Sequence, residues 1–272
     1  GKKSGKVVLQ GLSVTATENA MLLAATLPGE TTIRVAACEP HVADLGKFLQ
    51  KLGVEISGLG THTPTILGET VLGGATYTIM PAHNDAATFL VLGAVTGSEL
   101  TVENAREDDL DIVLEKLKEF GVSFTIRENA ITVHPTEHLK AVKPWIDTRT
   151  YPGMPSDNQS VFGVLATQAE GDTLIFETLY EGRFSYIPEL IKMGARAEVL
   201  NPHQVIVHGK TPLRGTTIKS FDLRAGVALI IAALAAEGTT IIEEIYQVDR
   251  GYERIEERLQ KIGANIIRKE LA

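Results

Sequence analysis

Apolar and polar positions along the chain fall into one layout that recurs four times. Each copy opens with small and apolar residues at helical spacing. It passes a glycine turn into a β-rich run, then enters an amphipathic helix that ends at a second glycine. The turn glycines are Gly29, Gly97, Gly171 and Gly238, separated by 68, 74 and 67 residues. The helix-ending glycines are Gly53, Gly121, Gly194 and Gly263, separated by 68, 73 and 69 residues. Two glycine series with one period define a structural repeat. Each later glycine suits the left-handed cap that ends a helix before a strand, and V-E-I-S, V-S-F-T-I, A-E-V-L and A-N-I-I follow as strand candidates. In the first three copies a further β-rich run closes a hairpin, such as A-I-T-V-H or Q-V-I-V-H.

The unit therefore reads β-α-β-α-β-β over about 70 residues, longer than the 20–50 residues of a solenoid repeat. The runs S-V-F-G-V-L-A-T and A-L-I-I-A-A-L-A-A are apolar nearly all round, which predicts helices buried on every side inside a ring of sheets. The last copy stops after one strand of its hairpin, and the first lacks a clear strand before Val7. Sequence beyond the N-terminus is expected to complete them, as the start on Gly1 rather than methionine also suggests.

Composition narrows the class. With 44% hydrophobic and 22% charged residues in 272, the chain reads as soluble and globular, in one large or two ordinary domains. A net charge of −8 argues against a nucleic-acid backbone as the main partner. A single cysteine rules out an intrachain disulfide framework and fits a reducing cytoplasm. No apolar run approaches the roughly 18 residues of a membrane span, and the start has no secretory hydrophobic region.

Chemistry is sought where single copies deviate. Asp157 and Asp222 open the small-residue helices of the last two copies, with Asp85 a looser third; each suits an N-cap. Asp157 also follows a loop stiffened by Pro152 and Pro155, which could present its carboxylate as a general base. Arg224 lies in the first turn after Asp222, Arg183 precedes an outer helix, and Arg250 sits where the spacing of Ile255, Leu259 and Ile262 starts the last helix, near Gly251 with Asp249 as its cap. Arginine at the positive end of a helix is out of place unless a neighbouring acid neutralises it or an anion from outside lies there. The three arginines are either local surface ion pairs or a converging phosphate or carboxylate site. Weaker candidates are Cys38 as a nucleophile, His134 and His138 as zinc ligands, and the glycosylation spacing at Asn158. Ser13, Val14 and Thr15 open the first helix, as a phosphate cradle or an ordinary cap.

The motifs D-R-G-Y-E-R-I-E, F-D-L-R-A, E-G-R-F and P-G-M-P-S-D-N-Q closely resemble the UDP-N-acetylglucosamine enolpyruvyl transferase family, and the similarity runs from about Val7 to Ile267. The resemblance implies an inside-out α/β barrel fold of six β-α-β-α-β-β units in two domains with the site in the cleft between them. Four units would be present here, one in a partial domain over residues 1–80 and three over 81–272. It implies transfer of the enolpyruvyl group of phosphoenolpyruvate to the 3′-hydroxyl of UDP-N-acetylglucosamine, for peptidoglycan synthesis, with no cofactor and no metal. By the same resemblance, Asp157 is the base for the sugar hydroxyl and Asp222 an acid in proton transfer. Arg224 and Arg250 bind phosphoenolpyruvate, and Arg183 lies near the substrates. Ser13, Val14 and Thr15 contact the diphosphate, and Leu179 contacts the sugar through its backbone. Gly182 and the pair Ala82-His83 depart from the family pattern, and the mobile catalytic loop and the N-terminal Lys-Asn pair fall outside the chain. Missing repeat units, in cis or as a partner chain, are therefore expected for activity. The rivals are a 5-enolpyruvylshikimate-3-phosphate synthase-like transferase and a non-catalytic UDP-sugar-binding module; RNA 3′-phosphate cyclase, with related fold units, sits poorly with the acidic balance.

Overall fold

The computed structural model describes residues 4–69, 71–143 and 145–269. The chain divides into two compact units, Gly1–Pro81 with Thr150–Gly153, and Ala82–Arg149 with Met154–Ala272.

In the first unit β1 (Gly5–Val8) leads to α1 (Val14–Ala25), β2 (Gly29–Arg34), α2 (Pro40–Lys51), β3 (Glu55–Ser57) and β4 (Thr65–Gly68). The sheet order is β1-β2-β4-β3, with β1 parallel to β2 and β4 antiparallel to both of its neighbours. This copy thus has the leading strand that the sequence did not reveal. All four residues of β1 are exposed, so no apolar alternation marks it; pairing of Gly5–Val8 with Thr31–Arg34 makes it a strand.

The second unit carries three copies. The first has α3 (His83–Thr96), β5 (Leu100–Glu103), α4 (Asp111–Glu119), β6 (Phe124–Arg127) and β7 (Ala130–Val133). The next has β8 (Ile146–Asp147), α5 (Gln159–Gln168), β9 (Gly171–Phe176), α6 (Tyr186–Lys192), β10 (Arg196–Asn201) and β11 (Gln204–Gly209). The last has β12 (Thr217–Lys219), α7 (Leu223–Ala235), β13 (Ile241–Glu243) and α8 (Ile255–Lys261). The sheet β8-β9-β11-β10 repeats the order of the first unit's sheet. Among the described residues, the sheet β5-β7-β6 lacks a leading strand and β12-β13 lacks its hairpin.

Within this unit α3, α5 and α7 pack on one another, and every residue of α5 from Gln159 to Thr167 is buried. Strand side chains such as Ile131, Val133, Ile175, Val205 and Val207 join them in one hydrophobic core. This is the arrangement expected of helices that are apolar all round. The outer helix α4 is amphipathic and turns Val113, Leu114 and Leu117 inward. Gly53, Gly121, Gly194 and Gly263 follow their helices at φ 103°, 82°, 100° and 98°, which L side chains rarely adopt, so glycine recurs at each.

Two expectations at the C-terminus are corrected. The last helix starts at Ile255, after a 3-10 turn over Ile245–Arg250, and its N-cap is Arg254 at φ 46°. Asp249 caps nothing, because both its carboxylate oxygens accept from Arg268, at 2.7 and 2.8 Å. The run A-N-I-I after Gly263 forms no strand. It nonetheless follows the path of β3: Gln260 Nε2 donates to Ile266 O at 2.6 Å, as Gln50 Nε2 does to Ile56 O at 2.9 Å. The strand that would lie between this run and β13, as β4 lies between β3 and β2, is not among the described residues.

Candidate functional site

The third copy's loop ends in a 3-10 turn, Ser156–Asn158, that feeds directly into α5. Asp157 makes no capping hydrogen bond there. Its Oδ1 instead accepts from Arg224 Nε and lies 3.8 Å from Arg183 Nη1. Arg183 belongs to the turn before α6, where its guanidinium lies 4.5 Å from the centre of the Tyr180 ring. Stacking on an aromatic face fixes the guanidinium plane while leaving its edge available to an anion.

Arg224 is the second residue of α7. Asp222 is the N-cap of that helix: its Oδ1 accepts from Arg224 N at 2.8 Å and Ala225 N at 3.0 Å, and its Oδ2 accepts from Ser185 Oγ at 3.0 Å. The capping reading therefore holds for Asp222. It fails for Asp85, which lies in the first turn of α3 behind the N-cap Ala82 and pairs with Arg258 at 2.6 Å. Ser160 Oγ donates to Arg224 O at 3.0 Å, tying α5 to α7 beside the cluster.

Arg250 ends the 3-10 turn that docks on α7. Val248 is fully buried against Gly226, and Gly251 lies against Leu223, so the residues flanking Arg250 grip the first turns of α7. Arg250 itself is exposed. Asp249 cannot neutralise it, because Arg268 holds that carboxylate; the hydrogen bond from Arg268 keeps Asp249 below the usual carboxylate range. Asp157, Arg183, Arg224 and Asp222 thus form one contacting group, with Arg250 presented from the turn packed on the same helix. Two guanidiniums, those of Arg183 and Arg224, face the one carboxylate of Asp157 on a chain of net charge −8. Such a local excess of cationic donors is suited to a small anion carrying carboxylate or phosphate.

Ser13 caps α1, accepting from Ala16 N at 3.3 Å, while Val14 and Thr15 form the first turn. That turn has no acidic residue to oppose an anion. Leu179 N donates to Glu177 Oε1 at 3.0 Å, so its carbonyl is the backbone group left for a ligand.

The weaker candidates resolve into local structure. His134 bonds to Thr125 and Glu99, while His138 faces Glu170, so the two histidines do not converge. Asn158 is buried and its Nδ2 donates to Asn84 O at 3.2 Å, which leaves no room for a glycan. Cys38 is buried, and burial followed by the charge of Glu39 pushes its thiol above the ordinary value. A raised thiol pKa leaves less thiolate at any given pH, so Cys38 should react with iodoacetamide at pH 8 more slowly in the native chain than after unfolding. Equal rates in the two states would show the thiol to be open and activated. Sequence reasoning missed Glu177, Ser156, Ser185 and Tyr180, because no local spacing distinguishes them.

The chain matches the family model described as EPSP synthase (3-phosphoshikimate 1-carboxyvinyltransferase) over residues 2–259. It is 43% identical over 270 residues to a protein of Glaesserella parasuis serovar 5 named UDP-N-acetylglucosamine 1-carboxyvinyltransferase, covering 98% of this chain and 63% of that one. A relative of the same name from Koribacter versatilis is 41% identical over 266 residues, covering 98% and 61%. The chain thus spans just under two thirds of these relatives' length. Among solved structures, the enolpyruvyl transferase NikO from Streptomyces tendae superposes with a TM-score of 0.87 at 27% identity, covering 96% of this chain and 64% of NikO. EPSP synthase from Acinetobacter baumannii superposes with a TM-score of 0.80 at 20% identity, covering 98% and 64%, and shares the fold. The repeated β-α-β-α-β-β units are therefore those of the enolpyruvyl transferase fold, and the chain belongs to the EPSP synthase (3-phosphoshikimate 1-carboxyvinyltransferase) family.

Proposed function

We propose that the complete protein transfers the enolpyruvyl group of phosphoenolpyruvate to the 3′-hydroxyl of UDP-N-acetylglucosamine and releases phosphate. The observation that carries this reading is Asp157 held against Arg183 and Arg224, with exposed Arg250 on the turn packed against the helix that bears Arg224. A base beside cationic donors suits a reaction that deprotonates an alcohol and attacks an anionic acceptor. Asp157 takes the proton of the 3′-hydroxyl as its oxygen bonds to C2 of phosphoenolpyruvate. The double-bond electrons take up a proton at C3, with Asp222 in the proton transfer. The resulting tetrahedral intermediate loses a proton from C3 and expels phosphate, which restores the double bond. Arg224 and Arg250 hold the phosphoenolpyruvate carboxylate and phosphate, with Arg183 beside the substrates. Ser13, Val14 and Thr15 contact the diphosphate, and Leu179 contacts the sugar through its carbonyl.

The names of the relatives at 41–43% identity favour the UDP-sugar acceptor over shikimate 3-phosphate. The product would enter peptidoglycan synthesis in the cytoplasm, and so serve cell shape and division. No helix among the described residues is long and apolar enough to cross a membrane. Turnover needs the further repeat units, in cis or as a partner chain, and the edge of β13, which pairs with no further strand among the described residues, would take a strand arriving from them. The test is phosphate release from phosphoenolpyruvate, with the portion the relatives carry supplied, in competition between UDP-N-acetylglucosamine and shikimate 3-phosphate. Release driven by shikimate 3-phosphate alone would replace the acceptor. Tight UDP-N-acetylglucosamine binding without release would reduce the protein to a binding module.

A further inference from the structure

Glu177, immediately after β9, is fully buried, and the partners of its carboxylate are four donors without charge. Oε1 accepts from Thr148 Oγ1 at 2.8 Å, Leu179 N at 3.0 Å and Tyr180 N at 3.2 Å; Oε2 accepts from Ser156 Oγ at 2.7 Å. Its own backbone is pinned to the β10–β11 turn, with Glu177 N donating to His203 O at 2.8 Å and His203 Nδ1 within 2.7 Å of Glu177 O. A carboxylate sealed from water is costly unless its lone pairs are met, and an apolar side chain would fill the same space at less cost. The arrangement therefore calls for a reason beyond packing.

The donors supply one. Ser156 immediately precedes Asp157, and Thr148 immediately follows β8, at the entry to the same loop. Leu179 and Tyr180 open the turn that carries Arg183, and the Tyr180 ring stacks under that guanidinium. One carboxylate thus ties the loop bearing the proposed base to the turn bearing one of the proposed anion-binding arginines. We propose that Glu177 is a positioning residue: through Ser156 it fixes the loop so that the Asp157 carboxylate meets Arg224 and Arg183. The inference rests on the proposed role of Asp157 for its functional meaning, but its geometry is testable without it. Ser156 is the only described link between Oε2 and the loop, so removing either end loosens the turn that carries Asp157 while α7 stays capped by Asp222.

The test follows solvent exchange of the Arg224 Nε–H, which is bound to Asp157, by NMR on the full 272-residue chain. Ser156→Ala and Glu177→Met, which offers no carboxylate oxygen to Ser156, are each expected to speed that exchange by about tenfold, the weight of one lost hydrogen bond. The Ala225 N–H, bound to Asp222, should keep its rate as an internal reference. Unchanged Arg224 exchange in Ser156→Ala would overturn the proposal. So would equal acceleration at Ala225, which marks general loosening. If Glu177→Met does not fold, Ser156→Ala still decides. Inorganic phosphate titrated into the wild-type chain checks the anion site separately: unmoved Arg183 and Arg224 signals would remove that reading while the exchange data still judge Glu177.

Discussion

Arg250→Ala, made in the protein completed with the portion its relatives carry, is expected to lower kcat/KM for phosphoenolpyruvate by about 10²–10³-fold, the usual cost of deleting one charged or preorganised donor from a transition-state site. The thermal midpoint should stay within a few degrees, because Arg250 is exposed and its neighbour Asp249 is already bound to Arg268. Arg250→Lys should recover part of the loss, since a point charge replaces some but not all of a guanidinium fork. Steady-state kinetics in varied phosphoenolpyruvate checks this. Near-normal turnover in the alanine variant would end the anion argument. A large fall in stability would instead make Arg250 a structural residue.

Gly226→Ala is the second large effect, and it reaches the same site through the fold. A Cβ at Gly226 would stand 2.3 Å from Val248 Cγ2 and 2.6 Å from Ser220 Oγ. Neither neighbour can yield easily: Val248 is fully buried and stiff at χ1, and Ser220 Oγ is bound to Asp222 O. The turn over Ile245–Arg250 must lift away from α7, at about 1–3 kcal/mol for overpacking a tight contact. Chemical denaturation should show that loss, and phosphoenolpyruvate affinity should fall with it because Arg250 moves with Val248. The pair of variants separates charge from position: Arg250→Ala loses function and keeps stability, whereas Gly226→Ala loses both. Full stability in Gly226→Ala would show that the turn is not held by this contact.

The division between what could be read and what could not follows the range of each interaction. The glycine series was legible because a left-handed cap is a local backbone demand that only glycine meets without strain, and Gly53, Gly121, Gly194 and Gly263 all have positive φ. The buried helices were legible because α5 and α7 are apolar on every face. The start of α8 was misplaced because Asp249 looks like a cap next to an arginine, and its true partner, Arg268, lies 19 residues on. β1 was invisible because its residues are exposed and only its pairing defines it.

The same contrast runs through the site. The sequence by itself determined the repeat, the burial of its all-round apolar helices and which aspartates and arginines break the repeat, since each is written in spacing or in residue type. Only the tertiary structure decided which role each acid takes: Asp222 caps α7, Asp85 pairs with Arg258, and Asp157 faces Arg183 and Arg224. Asp157 meets Arg224 across 67 residues, and Glu177 meets Ser156 across 21. A carboxylate's role is set by the donors that packing brings to it, and those contacts leave no period in the chain.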